Sequence, residues 1–242
     1  FRIALFYLLL MLPYVMAVYE DNVVLAGNGD IWNTLWTWHH IAENWIGPFY
    51  SDQLLAPKGS SVVPSDMVGG YLYAICSKMM SSVDFYNCYS IFCFWLFCFG
   101  THLWSQKAGF EGYIAGSIVY SSSAFRCIIH NGSSEMLTLS LLPLLLFFWS
   151  RGDKIKYKWL VLTGPMLLLI LGSWYGAIMT LGMIFAVERK WNRPQLLFIA
   201  TGILLLFLWS YFVQNIQMDS HIMDIKRNKL ELDAIRRSYG VA

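Results

Sequence analysis

The sequence predicts an all-α, polytopic membrane protein, and three observations lead to this fold class. Of the 242 residues, 57% are hydrophobic and 13% are charged, a balance that differs strongly from that of an ordinary soluble domain. Several apolar stretches approach the length of about 18 residues that a membrane-crossing helix needs. These stretches are continuous and do not alternate with polar residues, so they predict helices and not the strands of a barrel.

Loop charge orients the predicted spans. The basic loops 151–158 and 188–194 are expected on the cytoplasmic side, and the acidic loop 19–84 is expected on the outer side. The apolar segment 67–80 is too short to cross, so we expect a re-entrant or interfacial helix of the outer loop there. The spans that satisfy both the length and the charge pattern are 1–18, 85–105, 109–127, 135–150, 159–172, 174–188 and 196–214. The sequence thus predicts a membrane module of about seven helices.

The first segment, the two short segments and the end of the predicted membrane module each need a further assignment. Segment 1–18 has no small-residue cleavage site and is expected to be a retained span, not a signal peptide. Segments 159–172 and 174–188 are short, and a hairpin of two half-length helices would leave the orientation unchanged. Residues 1–214 form the predicted transmembrane module. Residues 215–242 are expected to be the truncated start of a C-terminal segment on the outer face.

Small residues and thiols inside the spans predict packing. Gly112 and Gly116 form a small-xxx-small pair that lets helices approach closely. Cys88, Cys93 and Cys98 recur at intervals that match no metal-ligand spacing, so free, packed thiols are expected. Lys and Arg are spread over short loops and form no basic patch, which argues against a nucleic-acid partner.

The outer loop is expected to begin with an amphipathic helix over 31–46. At 100° per residue one face is apolar and the other polar. The apolar face consists of Ile31, Leu35, Trp38, Ala42, Trp45 and Ile46, and the polar face consists of Asn33, Thr37, His40, Glu43 and Asn44. Such a helix is expected to lie flat at the membrane interface, with its tryptophans at the depth of the lipid headgroups and His39 near the apolar flank.

An ordered series of short motifs runs through most of the chain. An acid-bearing loop with an amphipathic helix follows the first apolar span, and the further motifs are Pro48-Phe49, Pro57-Lys58-Gly59, Phe85-Tyr86-Asn87, Gly112 to Gly116, the run LPLLLFFW before a basic loop, and Ser173-Trp-Tyr-Gly176. This order resembles that of bacterial integral-membrane glycosyltransferases of the GT-C fold, which use polyprenyl-phosphate-linked sugars. The resemblance implies a location in the bacterial cytoplasmic membrane, with loop 19–84 on the outer face.

The resemblance also implies a catalytic residue. In such enzymes an acid of the first outer loop activates the acceptor, sometimes with a divalent metal (Mg²⁺, Mn²⁺ or Ca²⁺), and Asp30 is the matching position. Two roles remain open for Asp30: a general base or metal ligand, or an N-cap of the following helix that stabilises it by about 1 kcal/mol.

Further outer-loop residues are candidates for substrate binding. His40 and Glu43, three residues apart, are expected to share a solvated face, either as a hydrogen-bonded pair or in contact with substrate. Asp52 is a second acidic candidate. The candidates for holding a lipid-linked phosphate are Lys58 and the residues that bracket the second outer loop, Arg126, His130 and Glu135. Arg126 is equally suited to an interfacial role, with its charge reaching toward water.

Two functions follow as hypotheses. The first is an inverting glycosyltransferase that moves a sugar from polyprenyl phosphate to a lipid, glycan or protein acceptor at the outer face. The second is a catalytically inactive GT-C-like subunit of a larger membrane complex, with other membrane subunits as partners. A transporter is disfavoured because the ionisable residues lie mainly in the outer loops and not at the bilayer midplane.

Overall fold

The computed structural model describes residues 1–21, 31–45, 50–51, 60–61, 66–122, 138–151, 158–187 and 195–212. These ranges are helical except for turns and a short antiparallel pairing of β1 (Tyr50–Ser51) with β2 (Ser60–Ser61). The helices in chain order are α1 (Arg2–Leu10), α2 (Leu12–Asp21), α3 (Ile31–Glu43), α4 (Met67–Cys76), α5 (Ser82–Lys107), α6 (Gly112–Ser121), a 3₁₀ helix (Thr138–Leu141), α7 (Leu142–Ser150), α8 (Lys158–Gly172), α9 (Trp174–Val187) and α10 (Gln195–Phe212). The predicted helical class is therefore confirmed.

The predicted first span is interrupted at Met11, between α1 and α2. Pro13 explains the interruption, because proline has no N–H to donate to the carbonyl of Leu9 and its ring crowds that carbonyl. The turn tightens instead, and the Met11 N–H donates to the carbonyl of Leu8 at 3.1 Å. Met11 keeps right-handed helical backbone angles (φ −81°, ψ −10°), so the helical path continues from α1 into α2.

α5 is the longest described helix, and the other elements are arranged around it. Its 26 residues extend over about 39 Å. Its start is capped by Ser81, whose Oγ accepts from the Asp84 N–H at 3.1 Å and donates to Asp84 Oδ2 at 2.6 Å. After its end the chain turns through Gly109, whose φ of +86° lies in the left-handed region that favours glycine, and enters α6.

Side-chain contacts show in which direction each neighbouring helix runs relative to α5. Both α1–α2 and α6 run antiparallel to α5, as shown by the ring pairs Tyr7 with His102, Tyr14 with Phe94, Tyr113 with His102 and Tyr120 with Phe94. The 3₁₀ helix and α7 run parallel to α5, since Ser140 lies beside Cys93 and Leu144 lies against Gly100. The predicted alternation of direction along the chain is therefore present in these elements.

Glycines allow the closest helix contacts, as predicted for Gly112 and Gly116. A Cβ added to Gly112 would lie 2.8 Å from the carbonyl oxygen of His102, and one added to Gly116 would collide with the Tyr7 hydroxyl. Gly100 brings α5 similarly close to α7, because an added Cβ would lie 3.1 Å from the backbone nitrogen of Leu144. The packing role of the small-xxx-small pair is confirmed.

The second half of the described chain forms its own apolar core from α7, α8, α9 and α10. Leu162, Leu169 and Ile184 are fully buried there. α8 and α9 have 15 and 14 residues, which corresponds to about 22 and 21 Å, and they meet at Ser173. They are therefore short for a bilayer core of about 30 Å, as the sequence predicted.

Two described helices, α5 and α10, are long and apolar enough to cross a membrane by length and composition. Shorter apolar helices lie at Met67–Cys76, Leu139–Ser150, Leu162–Gly172 and Tyr175–Ala186. These features agree with a helical membrane protein at the coarse level. The count of seven crossings stays a prediction.

Candidate functional site

Two of the predicted site residues, His40 and Glu43, lie among the described residues. The others fall outside the described ranges, and they are Asp30, Asp52, Lys58, Arg126, His130 and Glu135. Asp30 directly precedes Ile31, the first residue of α3. The candidate site is therefore built from α3 and from the elements that pack against it.

α3 packs on α4, with two glycines of α4 at the contact. A Cβ added to Gly69 would lie 2.6 Å from Cζ2 of Trp38, and one added to Gly70 would collide with Ile41. Trp38 and Ile41 are fully buried as a result. α3 therefore packs against the protein through Trp38 and Ile41.

This packing corrects the predicted polar face of α3. Ile31, Leu35 and Trp38 are buried, as predicted. Thr37 and His40 were expected to be solvated, but 3% and 5% of their surfaces are exposed. The prediction was wrong for these two residues because a helical period identifies the apolar stripe of a helix but not how many neighbours cover it.

His40 is held by Trp36 of its own helix and by Asn44, which directly follows that helix. The side-chain Nδ2 of Asn44 lies 3.2 Å from His40 Nδ1 and donates to the His40 carbonyl oxygen at 3.0 Å. The imidazole stacks on the indole of Trp36, with ring centroids 5.1 Å apart and planes 6° from parallel. His40 is thus fixed in both position and ring orientation.

Glu43 pairs with His39 and not with His40. Glu43 Oε1 lies 3.1 Å from His39 Nε2, and both side chains are more than half exposed. The expected His40–Glu43 pair is therefore not formed. An exposed pair four residues apart on a helix contributes about 0.3–0.5 kcal/mol, so it has little structural weight.

Trp38 forms the centre of an aromatic cluster that joins α3 to α4 and to the start of α5. Its ring centroid lies 5.3–6.4 Å from those of four further aromatic residues. This Trp38 cluster consists of Trp38, Tyr73, Phe85, Tyr86 and Tyr89, and each member is at most 8% exposed. Such ring pairs add about 0.5–1.5 kcal/mol each beyond the area that they bury.

Asp66 is a buried acid beside this cluster that the sequence analysis did not single out. Its carboxylate is completely buried and caps α4, with Oδ1 accepting from the Gly69 N–H at 2.9 Å. Its other oxygen lies against Gly69, since a Cβ added there would collide with it. The signal that was available is an Asp just before an apolar helical run, which is typical of an N-cap.

Asp66 also lies close enough to Tyr89 and Cys93 for electrostatic interaction. Ser140 of the 3₁₀ helix lies beside Cys93, which is a free cysteine as expected. Asp66, which caps α4, and Ser140 of the 3₁₀ helix thus both lie near Cys93, in the first half of α5. This arrangement can orient groups and supply hydrogen bonds in a water-poor environment.

A second buried polar group lies toward the other end of α5. The Tyr7 hydroxyl donates to the Gly112 carbonyl oxygen at 3.3 Å and lies 3.1 Å from His102 Nδ1. His102 is fully buried. It lies 16 residues after Tyr86 on α5, about 24 Å along the helix axis, and so belongs to a separate location.

Within the described ranges, no three His, Cys, Asp or Glu side chains lie together in an arrangement that could hold a metal ion. The predicted metal ligand, Asp30, lies outside those ranges. Comparisons of the chain with protein-family models, with curated proteins and with solved structures gave no match.

Proposed function

We propose that this protein is a GT-C-like membrane glycosyltransferase that takes a sugar from a polyprenyl-phosphate donor at the outer face of the membrane. The main support for the proposal is the position of α3 in the fold and in the sequence. It packs with α4 against the start of the long helix α5, and its first residue directly follows Asp30. A helix that follows the acid of the first outer loop and precedes the span opening with Phe85-Tyr86-Asn87 is part of the series of motifs on which the family resemblance rests.

The proposal includes seven membrane crossings with the basic loops 151–158 and 188–194 in the cytoplasm. The antiparallel directions of α1–α2, α5 and α6 and the apolar character of α7 to α10 support it. In this orientation α3 and α4 belong to the outer side. Residues 215–242 would then also lie on the outer side.

The proposed reaction is an inverting transfer. The acceptor oxygen forms a bond to the anomeric carbon while the bond from that carbon to the phosphate oxygen breaks, and polyprenyl phosphate leaves. Asp30 takes the proton of the acceptor hydroxyl, or holds a divalent cation that orients it. Lys58 and Arg126 are proposed to stabilise the phosphate that departs, since such electrostatic stabilisation is usually the largest catalytic contribution.

The test compares polyprenyl-phosphate lipids from bacterial cells that express the wild-type protein, Asp30→Asn or Asp21→Asn. Asp21→Asn is the matched control, because it removes the same charge from the preceding acid of the chain. Mass spectrometry is expected to show a sugar-bearing polyprenyl phosphate that accumulates with Asp30→Asn and not with the other two proteins.

Equal insertion of the three proteins in the membrane must be shown by quantitative immunoblotting. If the lipid pools are then identical, the transferase proposal is refuted for these cells. Co-purification of a stoichiometric set of other membrane proteins with the wild type would in that case favour the inactive-subunit hypothesis.

A further inference from the structure

α4 lies beside the first half of α5 and runs antiparallel to it. Residues 77–81 join its end to the start of α5, and there the ring of Tyr73 lies 5.5 Å from that of Phe85. At its other end, the capping residue Asp66 lies near Cys93, about 16 Å from the start of α5 along the helix axis. α4 is itself about 15 Å long, so it extends along α5 and does not lie across its end.

One side of α4 is covered by protein and the other is open. Gly69 and Gly70 are buried against α3, and α4 also contacts α8, a second helix of the predicted membrane module. Leu72 and Ile75 are exposed, and their spacing of three residues places them on one side of the helix. Met79, in the turn that follows, is exposed as well. These three residues form the open face of α4.

The open face of α4 differs in composition from that of its neighbour α3. The sequence of α4, MVGGYLYAIC, contains no charged residue. α3 exposes Asn33, His39 and Glu43 together with Trp32, a mixture that suits water and lipid headgroups. A helix that is apolar on all sides is typical of a protein core or a membrane. Since one side of α4 is not in the core, its composition indicates lipid there.

A cation lies at the end of this open face. Lys78 is exposed next to Met79 and has no ion-pair partner within the part of the chain that the structure describes. It lies at the level of the start of α5, where Ser81 and Asp84 are also exposed. An ammonium group at the polar end of an apolar face matches a phospholipid, whose phosphate lies above its acyl chains.

We infer that α4 is a re-entrant helix in the outer leaflet of the membrane and that its open face contacts the acyl chains of phospholipids, with Lys78 at the depth of their phosphate groups. The sequence left a re-entrant and an interfacial helix open for segment 67–80, and the course of α4 along α5 favours the first. This inference rests on the membrane location of α5 in the proposed function, but it does not require glycosyl transfer.

The test uses spin-labelled single-cysteine variants of a protein without native cysteines, in vesicles of phosphatidylcholine and phosphatidylglycerol. Power-saturation EPR compares collisions of the label with oxygen, which concentrates in hydrocarbon, and with a water-soluble nickel chelate. Leu72→Cys and Ile75→Cys are expected to be accessible to oxygen and protected from nickel, with Leu72→Cys the deeper of the two. The controls are Phe92→Cys on the exposed side of α5 for lipid and Asp84→Cys at its start for water.

The controls separate failure of the inference from failure of the proposed membrane location. If Leu72→Cys and Ile75→Cys react with nickel as Asp84→Cys does, the open face lies in water and the inference is refuted. Protection from both reagents would show that protein covers the face, which also refutes it. If Phe92→Cys is accessible to nickel as well, α5 does not lie in lipid, and the proposed membrane location is refuted together with the inference.

A second measurement keeps the native cysteines. Ile75→Asp and Phe110→Asp each introduce a carboxylate at an apolar residue of similar exposure, 66% and 71%, but Phe110 lies in the turn between α5 and α6. A charge is costly in hydrocarbon and much less so near the membrane surface. Ile75→Asp is therefore expected to lower the ratio of folded to unfolded protein about tenfold or more, and Phe110→Asp by less than about twofold. The ratios are measured by SDS titration from mixed micelles of lipid and detergent, and equal ratios would overturn the inference.

Discussion

The contact between α3 and α4 leaves no space for a side chain at Gly70, and this predicts the effect of Gly70→Ala. The added Cβ would collide with Cδ1 of Ile41 and would lie 3.3 Å from its Cγ1. Ile41 is fully buried, so its side chain has little room to move away. The helices must separate or Ile41 must adopt a strained rotamer.

The magnitude follows from two opposing effects. In an unhindered helix interior, replacing Gly by Ala stabilises by about 0.8–1.0 kcal/mol. Overpacking of a close contact costs about 1–3 kcal/mol. Gly182→Ala in α9 is the matched control, because an added Cβ there meets nothing within 4 Å. Gly70→Ala is therefore expected to be about 1–3 kcal/mol less stable than Gly182→Ala.

The measurement is the free energy of unfolding of each variant in a reversible SDS titration from mixed micelles. Ile41→Val provides an internal check, because it removes the colliding Cδ1 atom. In the wild-type background Ile41→Val is expected to cost about 0.5–1.5 kcal/mol. In the Gly70→Ala background the same change is expected to be neutral or stabilising. If Gly70→Ala is as stable as Gly182→Ala, or if Ile41→Val costs the same in both backgrounds, the tight contact is refuted.

Two further predictions concern the cap of α4 and the orientation of the chain. Asp66→Ala removes the acceptor of the Gly69 N–H and is expected to lower the free energy of unfolding by about 0.5–2 kcal/mol in the same titration. Asp66→Asn keeps an acceptor oxygen and is expected to lower it less. Equal losses for the two variants would argue against capping by Asp66. In a protein without native cysteines, Glu20→Cys is expected to react with a membrane-impermeant maleimide in intact cells, and Arg151→Cys only after permeabilisation. The opposite pattern would reverse the proposed orientation.

Most helices could be located from the sequence, because a continuous apolar run between charged loops marks a helix directly. The segments 85–105, 159–172 and 174–188 agree closely with α5, α8 and α9. The interruption at Met11 was missed because apolar residues continue through Pro13 and hide its effect. The β1–β2 pairing was missed because two residues are too few to show an alternating pattern.

The candidate site was harder to predict, because its residues depend on which neighbour occupies each face. His40 has two possible partners three and four residues later, Glu43 at the end of α3 and Asn44 directly after it, and this spacing does not choose between them. Asn44 bonds to both the ring and the carbonyl of His40, and Glu43 is left to pair with His39. Asp66 was counted as one more acid of the outer loop, and its burial follows only from the packing of α3 on α4.

Gly69 couples the position of α3 to the surroundings of the buried Asp66. This glycine contacts both Asp66 and Trp38, while Ile41, the neighbour of His40 in the chain, contacts Gly70. A substitution at this contact is therefore expected to change stability and, through α3, the position of the His40 ring. The pair Gly70→Ala with Ile41→Val separates the two effects, because it restores the packing volume without touching His40. If the ¹⁵N resonances of the His40 ring move in Gly70→Ala and return to their wild-type positions in the pair, the α3–α4 contact acts by positioning His40.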